Sequence, residues 1–114
     1  MIESTAFGVM TIDGRTYTSD LIIFPDGRVQ DGWWRKRGHV LGVDDILVLV
    51  DTAPKVIVAG TGTSGRMRLE SGLIPFLKEK DILMIAEPNP EAIETYNLKI
   101  ASGLETGACF HLTC

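Results

Sequence analysis

The segment KVIVAGTGTSGRMRL, residues 55–69, carries the most informative pattern in the chain. An apolar run enters a loop in which Gly60, Gly62 and Gly65 have the spacing G-x-G-x-x-G. This spacing is typical of dinucleotide-binding proteins, in which a strand precedes the loop and a helix begins within it. The residues on both sides of the loop therefore decide whether the chain is of that class.

The flanking residues meet some requirements of a dinucleotide-binding unit and fail others. Strands are expected before and after the loop, and Glu87 lies at about the distance where an acid binds a ribose hydroxyl. However, the best helix cap, Ser71, comes well after Gly62, and a helix that began within the loop would hold Pro75 in its middle. The chain also lacks the length for two nucleotide-binding halves. We therefore expect no NAD or FAD cofactor.

Two other interpretations of the glycine loop stay open. In the first, the glycines form a tight turn at the carboxyl end of a buried strand, where they permit positive φ and close backbone approach. In the second, backbone N–H groups of the turn hold a small anion, as ligands often bind at this end of a strand. The candidate ligand-binding residues of the second interpretation are Gly60, Thr61, Gly62, Gly65, Arg66 and Arg68.

The composition predicts one soluble globular domain, residues 1–114. Apolar residues make up 45% of the chain and charged residues 23%, which gives enough apolar surface for one core. A net charge of −4 argues against nucleic-acid binding, which needs a basic surface. The start, MIESTAFGVM, lacks a signal peptide's apolar region, and no apolar run is long enough to span a membrane. We expect a cytoplasmic protein without membrane contact.

The first half of the chain predicts antiparallel strands. Asp13-Gly14 favours a type I′ turn and so predicts a β-hairpin, and residues 25–27, Pro-Asp-Gly, predict a second turn. Residues 32–42 have no clean period and are expected to form a loop or an irregular strand. Residues 43–52 are ambiguous, because their β-branched residues favour a strand whereas their apolar spacing and acidic first turn favour a short helix. We prefer the helix.

The second half predicts strands that alternate with helices. Buried strands are expected at 55–60 and 81–87, a last strand at 106–114, and helices at 70–80, capped by Ser71, and at 89–103. In the helix at 89–103, Asn89 is the expected N-cap, Pro90 the first helical residue and Gly103 the terminator. Hairpins followed by this alternation predict an α/β fold, with helices packed on a central mixed sheet.

A basic and aromatic segment, WWRKRGH at 33–39, is the second candidate functional feature. We expect its two tryptophans to pack together beside a solvated basic edge. Trp and Arg are enriched at binding hot spots, so Trp34, Arg35 and His39 are the candidate interaction surface. We expect this surface and the glycine loop to lie in one cleft.

Catalytic and metal sites are not indicated. His111 and Cys114 would face opposite sides of a strand and so make a poor metal pair. Cys109 and Cys114 would also face opposite sides, and we expect reduced thiols. The scattered carboxylates show no acid/base pairing. The sequence therefore yields no catalytic residue and no metal ligand.

Short motifs along the whole chain resemble one family. It is the small domain of unknown function shared by the adipogenesis-associated domain-containing protein, a mitochondrial complex I assembly factor, and bacterial and archaeal single-domain proteins. The motifs are Phe7-Gly8, Tyr17, Ser19-Asp20, Trp34-Arg35, Gly38-His39, Pro54 before KVIVAGTG, Tyr96-Asn97 and His111-Leu112-Thr113-Cys114.

The resemblance implies a three-layer α/β fold with a central mixed sheet and a small N-terminal β-hairpin element. It brings no catalytic residues, and its assembly-factor branch implies a protein-interaction role. Two functional hypotheses follow. The chain is either a non-catalytic interaction or assembly protein, or a protein that holds a small anionic ligand at the loop from Gly60 to Arg68, which would leave room for an enzymatic activity.

Overall fold

The computed structural model describes all residues, 1–114, as an α/β fold with three sheets and three α-helices. The strands are β1 (Ile2–Ala6), β2 (Val9–Ile12), β3 (Arg15–Tyr17), β4 (Leu21–Ile23), β5 (Val29–Asp31), β6 (Val40–Leu41), β7 (Val56–Gly60), β8 (Arg68–Leu69), β9 (Leu83–Glu87) and β10 (Thr106–Phe110). The helices are a 3-10 turn (Val43–Ile46) that continues into α1 (Leu47–Val50), then α2 (Leu73–Glu79) and α3 (Asn89–Ala101). No helix is long and apolar enough to cross a membrane.

The central sheet is mixed, with the strand order β5-β4-β10-β7-β9. Strands β10, β7 and β9 are parallel, whereas β4 pairs antiparallel with β10 and with β5. A separate antiparallel sheet contains β1, β2 and β3, and a two-stranded parallel sheet joins β6 to β8. The α/β fold with a central mixed sheet and an N-terminal hairpin element is therefore confirmed.

The central sheet separates two apolar cores, which makes three layers. On one face, α1 and α2 pack on it through residues that include Leu49, Leu73 and Leu77. On the other face, α3 and the N-terminal sheet cover it, with Tyr96 and Met10 among the buried residues. Strands β7 and β10 are buried at every position, as expected for strands covered on both sides.

Local turn chemistry is where the sequence predicts the structure best. Asp13 and Gly14 have φ of 48° and 81° and join β2 to β3, with Ile12 opposite Arg15. These left-handed conformations are the ones that a type I′ hairpin needs. The predicted helix at 43–52 also forms, as a 3-10 turn followed by one α-helical turn.

Several predicted details are wrong because tertiary contacts override local signals. The N-cap residue of α2 is Gly72 instead of Ser71. The N-cap residue of α3 is Pro88 instead of Asn89. Strand β9 is an edge strand with exposed residues, and β10 ends at Phe110, before the predicted 114. The tryptophans do not pack as a pair. Trp33 is buried and donates its indole N–H to the Asp45 carbonyl, whereas Trp34 is 83% exposed.

Asn97 on α3 holds the first strand against the rest of the molecule. Its side-chain Nδ2 donates to the carbonyl of Ile2 at 2.9 Å, and its Oδ1 accepts the amide N–H of Ile2 at 3.0 Å. One amide thus satisfies both backbone groups of a buried strand residue, and these groups would otherwise be left without partners. The helix and the N-terminal sheet are joined at this point.

We predict that Asn97→Ala destabilises the protein by about 1–3 kcal/mol, because both partly buried backbone groups of Ile2 lose their partner. Urea unfolding followed by circular dichroism measures the difference. Leu98→Ala is the matched control, since Leu98 is the next residue on α3 and is exposed. Equal stability of Asn97→Ala and the wild type would contradict this role.

Candidate functional site

The partly buried carboxylate of Asp20 joins three distant segments of the chain. Its Oδ1 accepts the amide N–H of Leu112 at 2.7 Å, and its Oδ2 lies 2.8 Å from Nη2 of Arg35 and 2.8 Å from Nδ1 of His111. Asp20 itself follows the N-terminal sheet and precedes β4. One charge therefore contacts three parts of the chain: the residues before β4, the irregular segment around Arg35 and the segment after β10.

Hydrogen bonding to this carboxylate outweighs the cost of burying it. Burial alone would raise the pKa of Asp20, but the Leu112 N–H, His111 and Arg35 all hydrogen-bond to the charged form, and Arg35 adds a positive charge. The pKa of Asp20 therefore lies below its ordinary value. In the Asp20–Arg35 ion pair, the Arg35 side chain is buried and the Asp20 side chain is partly buried.

Arg35 lies beneath the surface, although the sequence made it part of the candidate interaction surface. Its side chain is 4% exposed, and its Nε donates to the carbonyl of Gly38 at 2.8 Å. The guanidinium carbon lies 4.8 Å from the centre of the Trp33 ring, and the buried Nη1 has no hydrogen-bond partner. Stacking on the indole offsets part of the cost of burying this cation. Arg35 thus holds the segment's shape and offers little direct contact area.

His111 presents its second nitrogen to a hydroxyl group. Its Nδ1 lies 2.8 Å from Oδ2 of Asp20 and 3.0 Å from Nη2 of Arg35, so both members of the ion pair contact this ring nitrogen. Nε2 lies 3.4 Å from Oγ1 of Thr113. This distance exceeds the usual reach of a base that activates a nucleophile, and Arg35 already neutralises Asp20. The geometry favours a structural network over proton transfer.

An open cleft of about 340 Å³ lies against this network. His39 stands on its wall, with its ring edge-on to that of His111 at 5.3 Å between centroids. Other wall residues are Thr18, Ser19, Trp33, Trp34, Gly38 and Thr113. We call this the Trp34 cleft. Of the candidate interaction residues, Trp34 and His39 are exposed, whereas the Arg35 side chain is buried.

The glycine loop bends around the residues that follow β10. Gly62 has φ of 108°, and a Cβ on it would collide with the carbonyl group of Cys114. The loop leads into β8, and α2 begins only at Leu73, so no helix opens within the loop. Positive φ and close backbone approach therefore account for Gly62.

The backbone N–H groups of this loop are already engaged. Thr63 donates to the carbonyl of Thr113, and Ser64 and Arg66 both donate to that of Cys114. The amide of Gly62 donates to Oδ1 of Asn89, whose Nδ2 in turn donates to the carbonyl of His111 at 2.8 Å. An anion near the loop would therefore depend on side chains.

The side chains of Arg66 and Arg68 meet His39 at a second cleft, of about 680 Å³, which Gly65 also lines. Both arginines are exposed and form none of the ion pairs of the chain. The amide of Arg68 donates to the carbonyl of His39 at 2.8 Å. The structure thus brings the two candidate segments together, with His39 on both clefts, while Gly60, Thr61 and Gly62 are buried beneath them.

Sequence patterns alone did not assign Asp20 and His111 to this site. In the sequence, Asp20 is one of several scattered acids, and the spacing of His111 indicates only a poor metal ligand. The available signal was the set of short motifs that carry the family resemblance. Four of these motifs, Ser19-Asp20, Trp34-Arg35, Gly38-His39 and the segment from His111 to Cys114, supply wall residues of the Trp34 cleft. No group of three or more His, Cys, Asp or Glu side chains is arranged to hold a metal.

The family model described as a protein of unknown function, DUF498/DUF598, matches residues 2–111. The chain belongs to this family. The resemblance drawn from the short motifs is thereby confirmed, and the family carries no assigned activity.

Solved structures show the same fold. The protein named MT938 is 26% identical, with a TM-score of 0.82 over 100% of this chain and 98% of its own. The conserved hypothetical protein PH1505 from Pyrococcus horikoshii OT3 is 25% identical, with a TM-score of 0.80 over 100% and 99%. An outer membrane protein from Bartonella henselae is 21% identical, with a TM-score of 0.82 over 99% and 94%, a likeness that concerns the fold alone. None of these names states a ligand or a substrate.

Acid should weaken the fold through Asp20. Because its folded pKa is depressed, its stabilisation is fully present above the unfolded value of 3.8 and is lost as the pH falls from there through the lower folded value. We predict that the free energy of unfolding of Asp20→Asn falls less steeply with decreasing pH than that of the wild type. At neutral pH the substitution should cost about 3–5 kcal/mol, because the Arg35 guanidinium loses its ion-pair partner.

Urea unfolding from about pH 7 to about pH 2 measures this effect. Asp26→Asn is the control, because the Asp26–Arg28 pair is exposed and contributes little. If Asp20→Asn and the wild type lose unfolding free energy equally steeply as the pH falls, Asp20 does not have this role.

Proposed function

We propose that this protein is a non-catalytic interaction protein and that the Trp34 cleft is its binding surface. The observation that carries the proposal is the convergence of separate family motifs on one cleft beside the exposed Trp34. An indole that is 83% exposed costs free energy in the isolated protein, and tryptophan is prominent among hot-spot residues. An assembly role, as the resemblance to the complex I assembly factor implies, is a specific form of this proposal.

The support beneath Trp34 suits recognition of a partner. The Asp20–Arg35 pair and the bond from the Trp33 indole to Asp45 fix the backbone on which Trp34 stands. A fixed anchor loses less conformational entropy on binding than a mobile one. We propose that the partner presents an apolar pocket for Trp34, in the cytoplasm that the sequence predicts as the location.

We predict that Trp34→Ala weakens partner binding roughly 30-fold, as expected for a hot spot of about 2 kcal/mol. Affinity capture from native lysate should retain one set of proteins with the wild type and lose it with Trp34→Ala. Phe7→Ala is the matched control, because Phe7 is an exposed aromatic residue that lines neither cleft. Identical captured sets for Trp34→Ala and the wild type would contradict the proposal.

A second candidate function is the binding of a small anion at the cleft between the two candidate segments. The specific observation is that Arg66 and Arg68, both exposed and without ion pairs, share this cleft with His39 in a chain of net charge −4. The candidate residues Gly60, Thr61, Gly62 and Gly65 would shape the loop, whereas the guanidinium groups would supply the hydrogen bonds.

We predict that inorganic phosphate raises the melting temperature if this candidate function is correct. Stabilisation grows with the ratio of ligand concentration to dissociation constant and reaches about 2.7 kcal/mol at 100 times that constant. The double variant Arg66→Ala/Arg68→Ala should lose the effect, whereas Arg28→Ala, which removes an exposed arginine elsewhere, should keep it. Stabilisation no greater than that by sodium chloride of equal ionic strength would exclude the anion site.

A further inference from the structure

His39 lies between two clefts that present different chemical groups to a ligand. On one side is the Trp34 cleft, and on the other is the cleft that Arg66 and Arg68 line, which we call the arginine cleft. The amide of Arg68 donates to the carbonyl of His39 at 2.8 Å, which fixes the backbone between the clefts. A hydrogen bond within residues 35–38 links the chain between Trp34 and His39. A ligand that extends past His39 would therefore contact both clefts.

The Trp34 cleft presents aromatic surface, because its charged groups are already paired. Asp20 and Arg35 form an ion pair at 2.8 Å, and Nδ1 of His111 contacts both of them. The rings of Trp34 and His39 are exposed on the wall of the cleft. An aromatic ring of a ligand suits such a surface, since ring pairs in offset or edge-on geometry add to the free energy of apolar burial.

The arginine cleft presents positive charge without an acid on its wall. No acidic residue lines it, and neither Arg66 nor Arg68 forms an ion pair. Glu70, the nearest acid along the chain, lines a separate cleft with Asp44 and Asp45. Guanidinium groups match phosphate well, because each can donate two parallel hydrogen bonds to its oxygens. In a chain of net charge −4, this cleft thus attracts an anion locally.

We propose that a small phosphate ester with an aromatic ring binds across both clefts, its phosphate on Arg66 and Arg68 and its ring against Trp34. This inference rests on the anion site proposed as the second candidate function, and it names the class of ligand. The clefts have volumes of about 340 and 680 Å³, which lie within the range of small-molecule sites. His39, on the wall of both clefts, would contact the middle of the ligand.

Calorimetric titration at constant ionic strength with inorganic phosphate, phenyl phosphate and cyclohexyl phosphate tests the proposal. We expect phenyl phosphate to bind roughly tenfold more tightly than inorganic phosphate, because its ring adds the contact with Trp34. Cyclohexyl phosphate, whose ring is of similar size but not aromatic, should bind more weakly than phenyl phosphate. Trp34→Ala should reduce the affinity for phenyl phosphate to that for inorganic phosphate. Phe7→Ala, which removes an exposed aromatic residue outside both clefts, should not.

Tryptophan fluorescence tests the ring contact without any substitution, since Trp33 is buried and Trp34 is exposed. Phenyl phosphate should shift the emission to shorter wavelength as it covers Trp34, whereas inorganic phosphate should not.

The outcomes separate this inference from the anion site on which it rests. If none of the three phosphates binds, the anion site and the inference both fail. If inorganic phosphate binds but phenyl phosphate binds no more tightly, or keeps its advantage in Trp34→Ala, the anion site stands and the inference is wrong. Equal affinity for cyclohexyl phosphate and phenyl phosphate would likewise overturn the assignment of an aromatic ligand.

Discussion

The partly buried carboxylate of Asp20 is the constraint on which the candidate site depends. Removing this carboxylate from water without a partner would destabilise the fold. Arg35, His111 and the amide of Leu112 compensate for the lost hydration by contacting it. Each of these partners comes from a different part of the chain. The irregular segment before the 3-10 turn and the residues after β10 are therefore positioned by electrostatics, and the wall of the Trp34 cleft follows from that positioning.

The sequence predicts those parts of the fold that depend on neighbouring residues. Asp13-Gly14 needs only its own backbone preferences to form the first hairpin, and the positive φ of Gly103 after α3 is equally local. Asn89 shows where such reasoning fails. By local rules it is a helix cap, yet its amide is buried between Gly62 and the carbonyl of His111, so the cap moves to Pro88. A long-range pair of hydrogen bonds outweighs one local one.

The candidate site was only partly predictable for the same reason. Residue type identifies Trp34 and His39, but the expected single cleft is two clefts, and only His39 lies with Arg66 and Arg68. Nothing local distinguishes Trp34 from Trp33, because which indole is buried depends on the distant carbonyl of Asp45. Spacing likewise contains no sign of the Asp20 network. Such residues could be associated only through the family motifs.

The glycine loop also explains why the candidate surface does not lie directly at the carboxyl ends of the parallel strands. In α/β sheets, ligands bind where connections leave the carboxyl ends of adjacent strands toward opposite faces. Strands β7 and β9 meet this condition, since α2 and α3 pack on opposite faces. Here Asn89 and the carbonyl groups of Thr113 and Cys114 take up the loop amides. The crevice is thus filled by the chain itself, and the open space lies beside His39, where side chains of the irregular segment line it.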